Sequence, residues 1–272
     1  MIPQTTKLIR IVLLAWAGWM YPAHAALTVL ACEPEWAALT MELAGDAAQV
    51  SSATTAWQDP HHIEAKPSLL AKARRADLVV CSGAELEIGW LPVLIEQSGN
   101  WRIQPGQPGY FEAASQVQLL EIPQRVDRSM GDVHASGNPH LHLDPRNIAK
   151  VAVALTQRLR QIDPEREAHY RQRGDDFLQK WHAAIAHWQE QAAPLKGMRW
   201  VVHHNAFVYL EHWLTLTRAG TLEPLPGVAP STKQLAHLLK EHQAKPVAMV
   251  ARAPHHDARP AQRFATRAQV PL

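Results

Sequence analysis

The amino-acid sequence predicts an α/β protein with two parallel-sheet lobes joined by a long helix. Short apolar segments alternate with helical ones over residues 26–143, and the alternation resumes over residues 194–272. Between the two blocks, residues 144–193 carry apolar side chains at helical spacing. Alternating strands and helices are typical of βαβ units, in which helices cover a parallel sheet. We therefore expect an amino-terminal lobe, a linking helix and a carboxy-terminal lobe.

The first lobe contains strands and helices in strict alternation until its last segment. The predicted strands are Leu27–Cys32, Ala48–Ala53, Asp77–Cys81 and Val117–Leu120, and the predicted helices are Glu35–Leu43, Ser68–Arg75 and Glu85–Gln97. Cys32 and Cys81 each end a predicted strand, and a disulfide is possible if these strands are neighbours. Two buried thiols are equally compatible with the sequence, and the spacing is not that of a cysteine zinc site.

The linking segment begins with a strong helix-start signal. Asp144 is a typical N-cap, and Pro145 stands at the first helical position, where its missing N–H costs nothing. Asp163-Pro164 repeats this signal, so we expect the helix to kink or restart there. The part from Glu165 to Gln191 would be about 40 Å long at 1.5 Å per residue. That length is enough to run the height of two lobes.

The second lobe is shorter. Its predicted strands are Arg199–His203 and Val247–Ala251, and its predicted helices are Ala206–Trp213 and Thr232–Gln243. A further strand begins at Val270, where the sequence stops. We therefore expect this lobe to be incomplete.

The amino terminus has the pattern of a cleavable export signal. Lys7 and Arg10 precede the apolar run Ile11–Met20, and Ala23-His24-Ala25 offers small residues at the cleavage positions. The run is too short to cross a bilayer core of about 30 Å as a helix. We expect residues 1–25 to be a signal peptide and the protein to be exported to an oxidising compartment.

The composition favours a metal-binding protein. The chain has 47% hydrophobic and 19% charged residues, which is typical of a globular protein, and its net charge of +2 gives no sign of nucleic-acid binding. Its 16 histidines outnumber its 13 glycines. Imidazole is the commonest metal ligand in proteins. A metal site is therefore the first functional hypothesis.

Most of the histidines cluster in predicted loops or strand ends, at residues 59–62, 138–142, 203–204 and 254–257. Loops at the carboxyl ends of parallel strands converge on the ligand crevice of an α/β sheet. Three imidazoles with one carboxylate or water are a standard zinc set, whereas magnesium and calcium prefer oxygen ligands and manganese is less favoured. Spacing alone leaves open that these histidines only cap loops or face solvent. At most one of His203 and His204 can point into a given site, because neighbours in a strand face opposite ways.

Around these histidines the sequence resembles the periplasmic metal-binding proteins of zinc and manganese ABC importers. The resemblance covers nearly all of the chain after the signal and rests on ordered motifs: DPHHIEAKPS at 59–68, ADLVVCSGAELEIGWL at 76–91, NPHLHLDPRN at 138–147, and HNAFVYL at 204–210 with the later LEPLPGVAPS at 222–231. Ile63, His142 and Asn205 depart from the family's usual Tyr, Trp and Asp. The family's acidic residue near the end is replaced by Arg252, and its last strand, loop and terminal helix are missing.

The resemblance implies that His61, His140 and His204 bind the metal in the cleft between the lobes, with His142 and Asn205 beside these ligands. Some family members take a fourth, aspartate ligand from the missing loop. Here that position would fall to water or to one of five side chains: Glu64, His62, His255, His256 and Asp257. A histidine as the third ligand points to the zinc branch, because manganese members tend to have a carboxylate there.

The function implied by the resemblance is capture of Zn²⁺, with Mn²⁺ less favoured, and its delivery to an inner-membrane ABC permease. The chain has no G-x-x-x-x-G-K-[ST] motif, so ATP hydrolysis would belong to a separate subunit. We expect a periplasmic monomer that is not an enzyme and binds no nucleic acid. A periplasmic zinc chaperone or buffer is one alternative. A secreted zinc hydrolase is another, but the sequence has neither H-E-x-x-H nor H-x-x-E-H.

Overall fold

Two separate parallel sheets form the framework of the computed structural model, which describes residues 25–127 and 130–272. The strands are β1 (Leu27–Ala31), β2 (Ala48–Ser52), β3 (Leu78–Cys81), β4 (Tyr110–Glu112), β5 (Arg199–Val202), β6 (Thr217–Thr221) and β7 (Met249–Ala251). The helices are α1 (Pro34–Ala44), α2 (Pro67–Arg75), α3 (Leu91–Ser98), α4 (Pro145–Ile162), α5 (Glu167–Ala192), α6 (Val208–Leu214), α7 (Thr232–Ala244) and α8 (Ala258–Ala268). The predicted α/β class with two parallel sheets is confirmed. The predicted signal peptide lies almost wholly outside the described residues.

The first sheet has the strand order β2-β1-β3-β4 and is covered on both faces. Val29 and Val80 point to the face packed by α1, α4 and α5, whereas Leu30 and Val79 point to the face packed by α2 and α3. All four are buried. Burial on both faces explains why these strands are almost continuously apolar rather than alternating.

The ends of the central strands of this sheet are covalently joined. β1 and β3 are neighbours, with Ala31 opposite Val80, and a disulfide links Cys32 to Cys81 immediately beyond this pair. Both cysteines are fully buried. Of the two states that the sequence left open, the structure has the disulfide.

Two predicted elements of the first lobe are wrong in position. Val117–Leu120 is not a strand; the fourth strand is β4, a short segment between turns that lacks a long apolar run. The helix predicted over Glu85–Gln97 begins only at Leu91, because Ala84 and Glu85 have positive φ values of 49° and 68° and therefore cannot continue a right-handed helix.

The linking segment is two helices rather than one. Asp144 caps α4 with its side chain, as the sequence predicted, and the helix restarts after Asp163. The chain also turns back at that point. The Trp181 indole in the middle of α5 donates to the Pro145 carbonyl at the start of α4, at 2.8 Å. Gly174 allows the close approach: a Cβ there would stand 2.7 Å from Oγ1 of Thr156. The pair α4 and α5 therefore packs as an antiparallel unit against the first sheet.

The second sheet has the order β6-β5-β7. Strand β6 and helix α8 were not predicted, and the predicted α6 begins two residues late, at Val208. Beyond α8 the chain runs beside β7, where the Val250 N–H donates to the Pro271 carbonyl at 3.0 Å. Among the described residues, none of the helices combines the length and apolar character that a membrane span requires.

Candidate metal centre

Three histidines from three separate loops meet between the two sheets. His61 lies in the loop after β2, His140 immediately precedes the short turn that leads into α4, and His204 follows β5. One ring nitrogen of each lies within 4.8 Å of one of each of the others. Their ring centroids are 5.4–5.7 Å apart, and the ring planes are steeply inclined to one another. Two lobes thus contribute to one cluster, as the open ends of parallel strands allow.

Two of the rings are oriented by carboxylates on their outer side. Nδ1 of His61 lies 2.7 Å from Oδ1 of Asp59, and Nδ1 of His204 lies 2.7 Å from Oε2 of Glu223. A carboxylate accepts a hydrogen bond, so each Nδ1 carries the proton and each Nε2 keeps its lone pair. Carboxylate partners of this kind are the usual support of metal-binding imidazoles. Burial alone would raise the pKa of Asp59, but the hydrogen bond and charge of His61 hold it well below its usual range.

The third ring is the most deeply buried of the cluster. His140 is 7% exposed, and its Nε2 has no hydrogen-bond partner among the described residues. Burial, followed by the neighbouring His204 and His61, holds the pKa of His140 well below its usual value. The ring is therefore neutral and offers a lone pair, as metal coordination requires.

A cavity of about 50 Å³ lies directly beside this ring. His140 and His204 line it together with His134, and Glu121, Asn138 and Asn205 complete its polar wall. A single water needs about 10–15 Å³ of such space, so the cavity can hold one ion with one or two waters. A cation therefore has room beside the imidazole nitrogens of His140 and His204.

His134 was not among the predicted site residues. It lies in the loop 130–137, and its Nε2 is 3.3 Å from Nε2 of His61, with the two ring centroids 5.3 Å apart. Burial, followed by the charge of His61, lowers its pKa to about 4. The high histidine content was the one available signal, because His134 belongs to none of the four histidine clusters or family motifs.

Three of the side chains predicted as a possible fourth ligand have other surroundings than the cluster. His62 is exposed, with Nε2 3.6 Å from Oδ2 of Asp132, and Glu64 is exposed at a separate surface depression. Asp257 caps α8 and forms an ion pair with Arg259, so its carboxylate is engaged elsewhere. Neither Glu64 nor Asp257 joins the three-histidine group.

His255 and His256 approach the cluster from the second lobe. Burial lowers the pKa of His255, and the charges of His204 and His61 act in the same direction. His256 instead stacks on His203, with centroids 4.2 Å apart and planes at 7°. His203, Glu223 and His256 form a second group of ligand atoms within 4.8 Å of one another. Stacked rings direct their lone pairs side by side rather than toward one point, so this second group is the poorer cation site.

The two residues predicted beside the ligands have separate surroundings. The ring of His142 packs edge-on against His140 and Trp36, with its Nδ1 3.3 Å from Oε1 of Glu35. Asn205 donates from Nδ2 to Glu121 at 2.7 Å, and its carbonyl accepts from Asn138 at 2.8 Å. Asn205 therefore ties the second lobe to the first beside the cavity.

Sequence comparison relates the chain to proteins of metal transport. The family model described as zinc-uptake complex component A, periplasmic, matches residues 29–272. The zinc-binding lipoprotein AdcA of Streptococcus pneumoniae is 23% identical over 78% of the chain and 42% of its own length. The manganese ABC transporter substrate-binding lipoprotein of Streptococcus gordonii is 26% identical over 57% of the chain and 47% of its own length. The chain thus spans less than half the length of these two relatives.

The fold is also found in a solved structure. A crystal structure of ZnuA superposes with a TM-score of 0.78 at 21% identity, covering 91% of this chain and 89% of that one. Members of the matched family are metal-binding proteins of transport systems rather than enzymes. Since the family model covers almost all of the described sequence, the chain belongs to the family of the periplasmic component A of zinc-uptake complexes.

Proposed function

We propose that this protein captures Zn²⁺ in the periplasm and delivers it to an inner-membrane ABC permease that works with a separate ATPase subunit. The observation that carries the proposal is the buried, unpartnered Nε2 of His140 at the centre of a three-imidazole cluster. A buried polar atom without a partner costs on the order of 1–3 kcal/mol, so folds rarely retain one without a use. A bound cation supplies the missing partner.

The ligand chemistry favours zinc over manganese. His61, His140 and His204 all present nitrogen, and Asp59 and Glu223 bind the far sides of two of these rings instead of facing the cavity. Imidazole suits zinc, whereas manganese prefers carboxylate, carbonyl and water oxygens. The relatives include both zinc-binding and manganese-transporting proteins, so this donor set is the basis for choosing zinc.

Release follows from the division of the site between lobes. His61 and His140 come from the first lobe and His204 from the second, so that separation of the lobes removes one ligand from the ion. Polar contacts between the lobes hold them in this position; Glu121 accepts from Arg218 at 2.6 Å, and Tyr209 donates to the Asn138 carbonyl at 2.7 Å. Binding and release make and break only coordination bonds to the ion, so a change in lobe position is sufficient for both.

The proposal is tested by the metal content of the purified protein. We expect one zinc per chain after exposure to equal zinc and manganese, and a zinc affinity that survives a large excess of manganese. A protein that takes up no zinc, or that prefers manganese, contradicts the proposal. Delivery is tested separately by deleting the gene. The strain should grow poorly under zinc chelation, and growth equal to the parent strain would favour a buffer over a carrier.

A further inference from the structure

We propose that His134 is the fourth ligand of the cluster, so that the ion is held by four imidazoles. The inference rests on the zinc-binding function proposed above and assigns the coordination position that the three histidines leave open. It is supported by the distance between Nε2 of His134 and Nε2 of His61, by a cavity that His134 shares with two other ligands, and by a loop held by both lobes.

The distance between His134 and His61 has the value expected of two ligands on one zinc. Zinc–nitrogen bonds are about 2.0–2.1 Å long, and two such bonds at a tetrahedral angle place the nitrogens about 3.3–3.4 Å apart. The Nε2 atoms of His134 and His61 are 3.3 Å apart. Nδ1 of His61 keeps its proton and donates it in a hydrogen bond to Asp59, so Nε2 of the neutral ring carries a lone pair. The two nitrogens are also within hydrogen-bonding distance of each other, and a bound cation would replace that hydrogen bond by two coordination bonds.

His134 lines the same cavity as two of the other ligands. His134, His140 and His204 all line the space of about 50 Å³ beside the cluster. His134 is not yet within 4.8 Å of all three other ring nitrogens, since the tightest group consists of His61, His140 and His204. A small movement of its loop toward the cavity would close the coordination sphere.

The loop that carries His134 is held from both sides. The Ala135 N–H donates to Oε2 of Glu85 in the first lobe at 2.6 Å. The Asp132 N–H donates to the Pro226 carbonyl in the second lobe at 2.9 Å. At Gly131 the backbone passes so close to that carbonyl that a Cβ would stand 2.1 Å from its oxygen. His134 is therefore placed by both lobes at once, over the open side of the three-histidine site.

The main rival for the position is His255, which approaches His61 and His204 from the second lobe. Among the described residues, no backbone hydrogen bond ties its loop to the first lobe, and its ring packs on His256 with centroids 4.3 Å apart. Water is the other rival. Each rival predicts a different set of atoms around the ion.

X-ray absorption spectroscopy of the zinc-loaded protein distinguishes these sets, because imidazole rings can be counted by their scattering. We expect four imidazoles in the wild type and three in His134→Ala, with zinc affinity reduced by more than the roughly 10–100-fold typical of losing a group that only supports a ligand, because a direct ligand is removed. Affinity for manganese should change less, so the preference for zinc should shrink. His187→Ala, an exposed histidine on α5, is the matched control and should equal the wild type.

Three imidazoles in the wild type, or the loss of one in His255→Ala instead of His134→Ala, would overturn the assignment while leaving zinc binding intact. A wild type without zinc would overturn both the assignment and the proposed function. His134→Cys gives an independent answer through cobalt. A sulfur-to-cobalt charge-transfer band supports the assignment, because thiolate can replace imidazole at such a site, and cobalt binding without that band contradicts it.

Discussion

The histidine cluster and the pair Glu33 and Glu87 are both buried groups of titratable side chains, and they differ in where their polar atoms point. In the histidine cluster, carboxylates hold Nδ1 of His61 and of His204, and His140 and His204 line a cavity. In the acidic pair Glu33 and Glu87, both carboxyl groups are almost fully buried at the carboxyl ends of β1 and β3. Burial is therefore common to both groups and cannot identify the site by itself.

Three of the four carboxyl oxygens of the acidic pair accept from backbone N–H groups in the turn after β3. Oε1 of Glu87 accepts from the Ser82 N–H at 2.8 Å, and Oε2 accepts from the Gly83 N–H at 3.1 Å. Glu33 accepts from Ser82 and shares a side-chain hydrogen bond with Glu87. The pair thus fixes the turn after β3. Open lone pairs that face a cavity indicate a ligand site, whereas lone pairs used by backbone donors indicate a structural one.

Replacing the central imidazole should have the largest effect on binding. In His140→Ala we expect zinc affinity to fall by more than the roughly 10–100-fold seen when a supporting partner is lost, because a direct ligand is removed. Folding should be little affected, since the lost Nε2 makes no hydrogen bond with the described residues. Competition against a zinc chelator measures the first effect and thermal unfolding of the metal-free protein the second. Wild-type affinity in this variant would show that the ion binds elsewhere.

Removing a carboxylate behind the cluster should have a smaller effect. Asp59→Asn keeps the shape of the side chain but loses the negative charge that orients His61, so we expect zinc affinity to fall on the order of 10–100-fold. Asp46→Asn is the matched control, because Asp46 lies 3.9 Å from His169 on the surface, far from any cavity of the cluster. A loss in Asp59→Asn as large as that in His140→Ala would mean that Asp59 itself binds the ion.

The ligands also differ in how far the sequence could predict them. His61, His140 and His204 stand in motifs whose local pattern is visible along the chain, as does the helix start at Asp144. His134 has no such pattern. Its position depends on Glu85 and Pro226, which are brought to its loop only by the folding of both lobes.

The same reason accounts for the misplaced elements. Strand β4 is three residues long and pairs with β3 through a register that no local periodicity reveals. Strand β6, with the sequence TRAGT, has little apolar character and is held by its pairing with β5. By contrast, Val117–Leu120 is apolar because its leucines pack beside the first core, not because it joins a sheet. An apolar run of this length indicates burial and does not by itself distinguish a strand from a buried loop.

The acidic pair gives the prediction with no expected effect on zinc. Burial raises the pKa of Glu87 to about 7, above the ordinary value of 4.5. A carboxyl with a raised pKa in the folded state stabilises the fold below about pH 4.5, and this contribution is lost as the pH rises through about 7. The wild type should therefore lose a few kcal/mol of unfolding free energy between about pH 5 and about pH 8 through this pair.

Glu87→Gln cannot ionise, so its unfolding free energy should depend less on pH over that range. It should also be less stable at about pH 5, because its amide faces the N–H of Ser82 or Gly83 and leaves one donor unpaired, at a cost on the order of 1–3 kcal/mol. Urea unfolding at both pH values measures this, with Glu96→Gln on the exposed face of α3 as the control. Zinc affinity should equal that of the wild type. If Glu87→Gln instead weakened zinc binding as much as Asp59→Asn, the two groups would not be independent, and the distinction between an open site and a closed structural pair would fail.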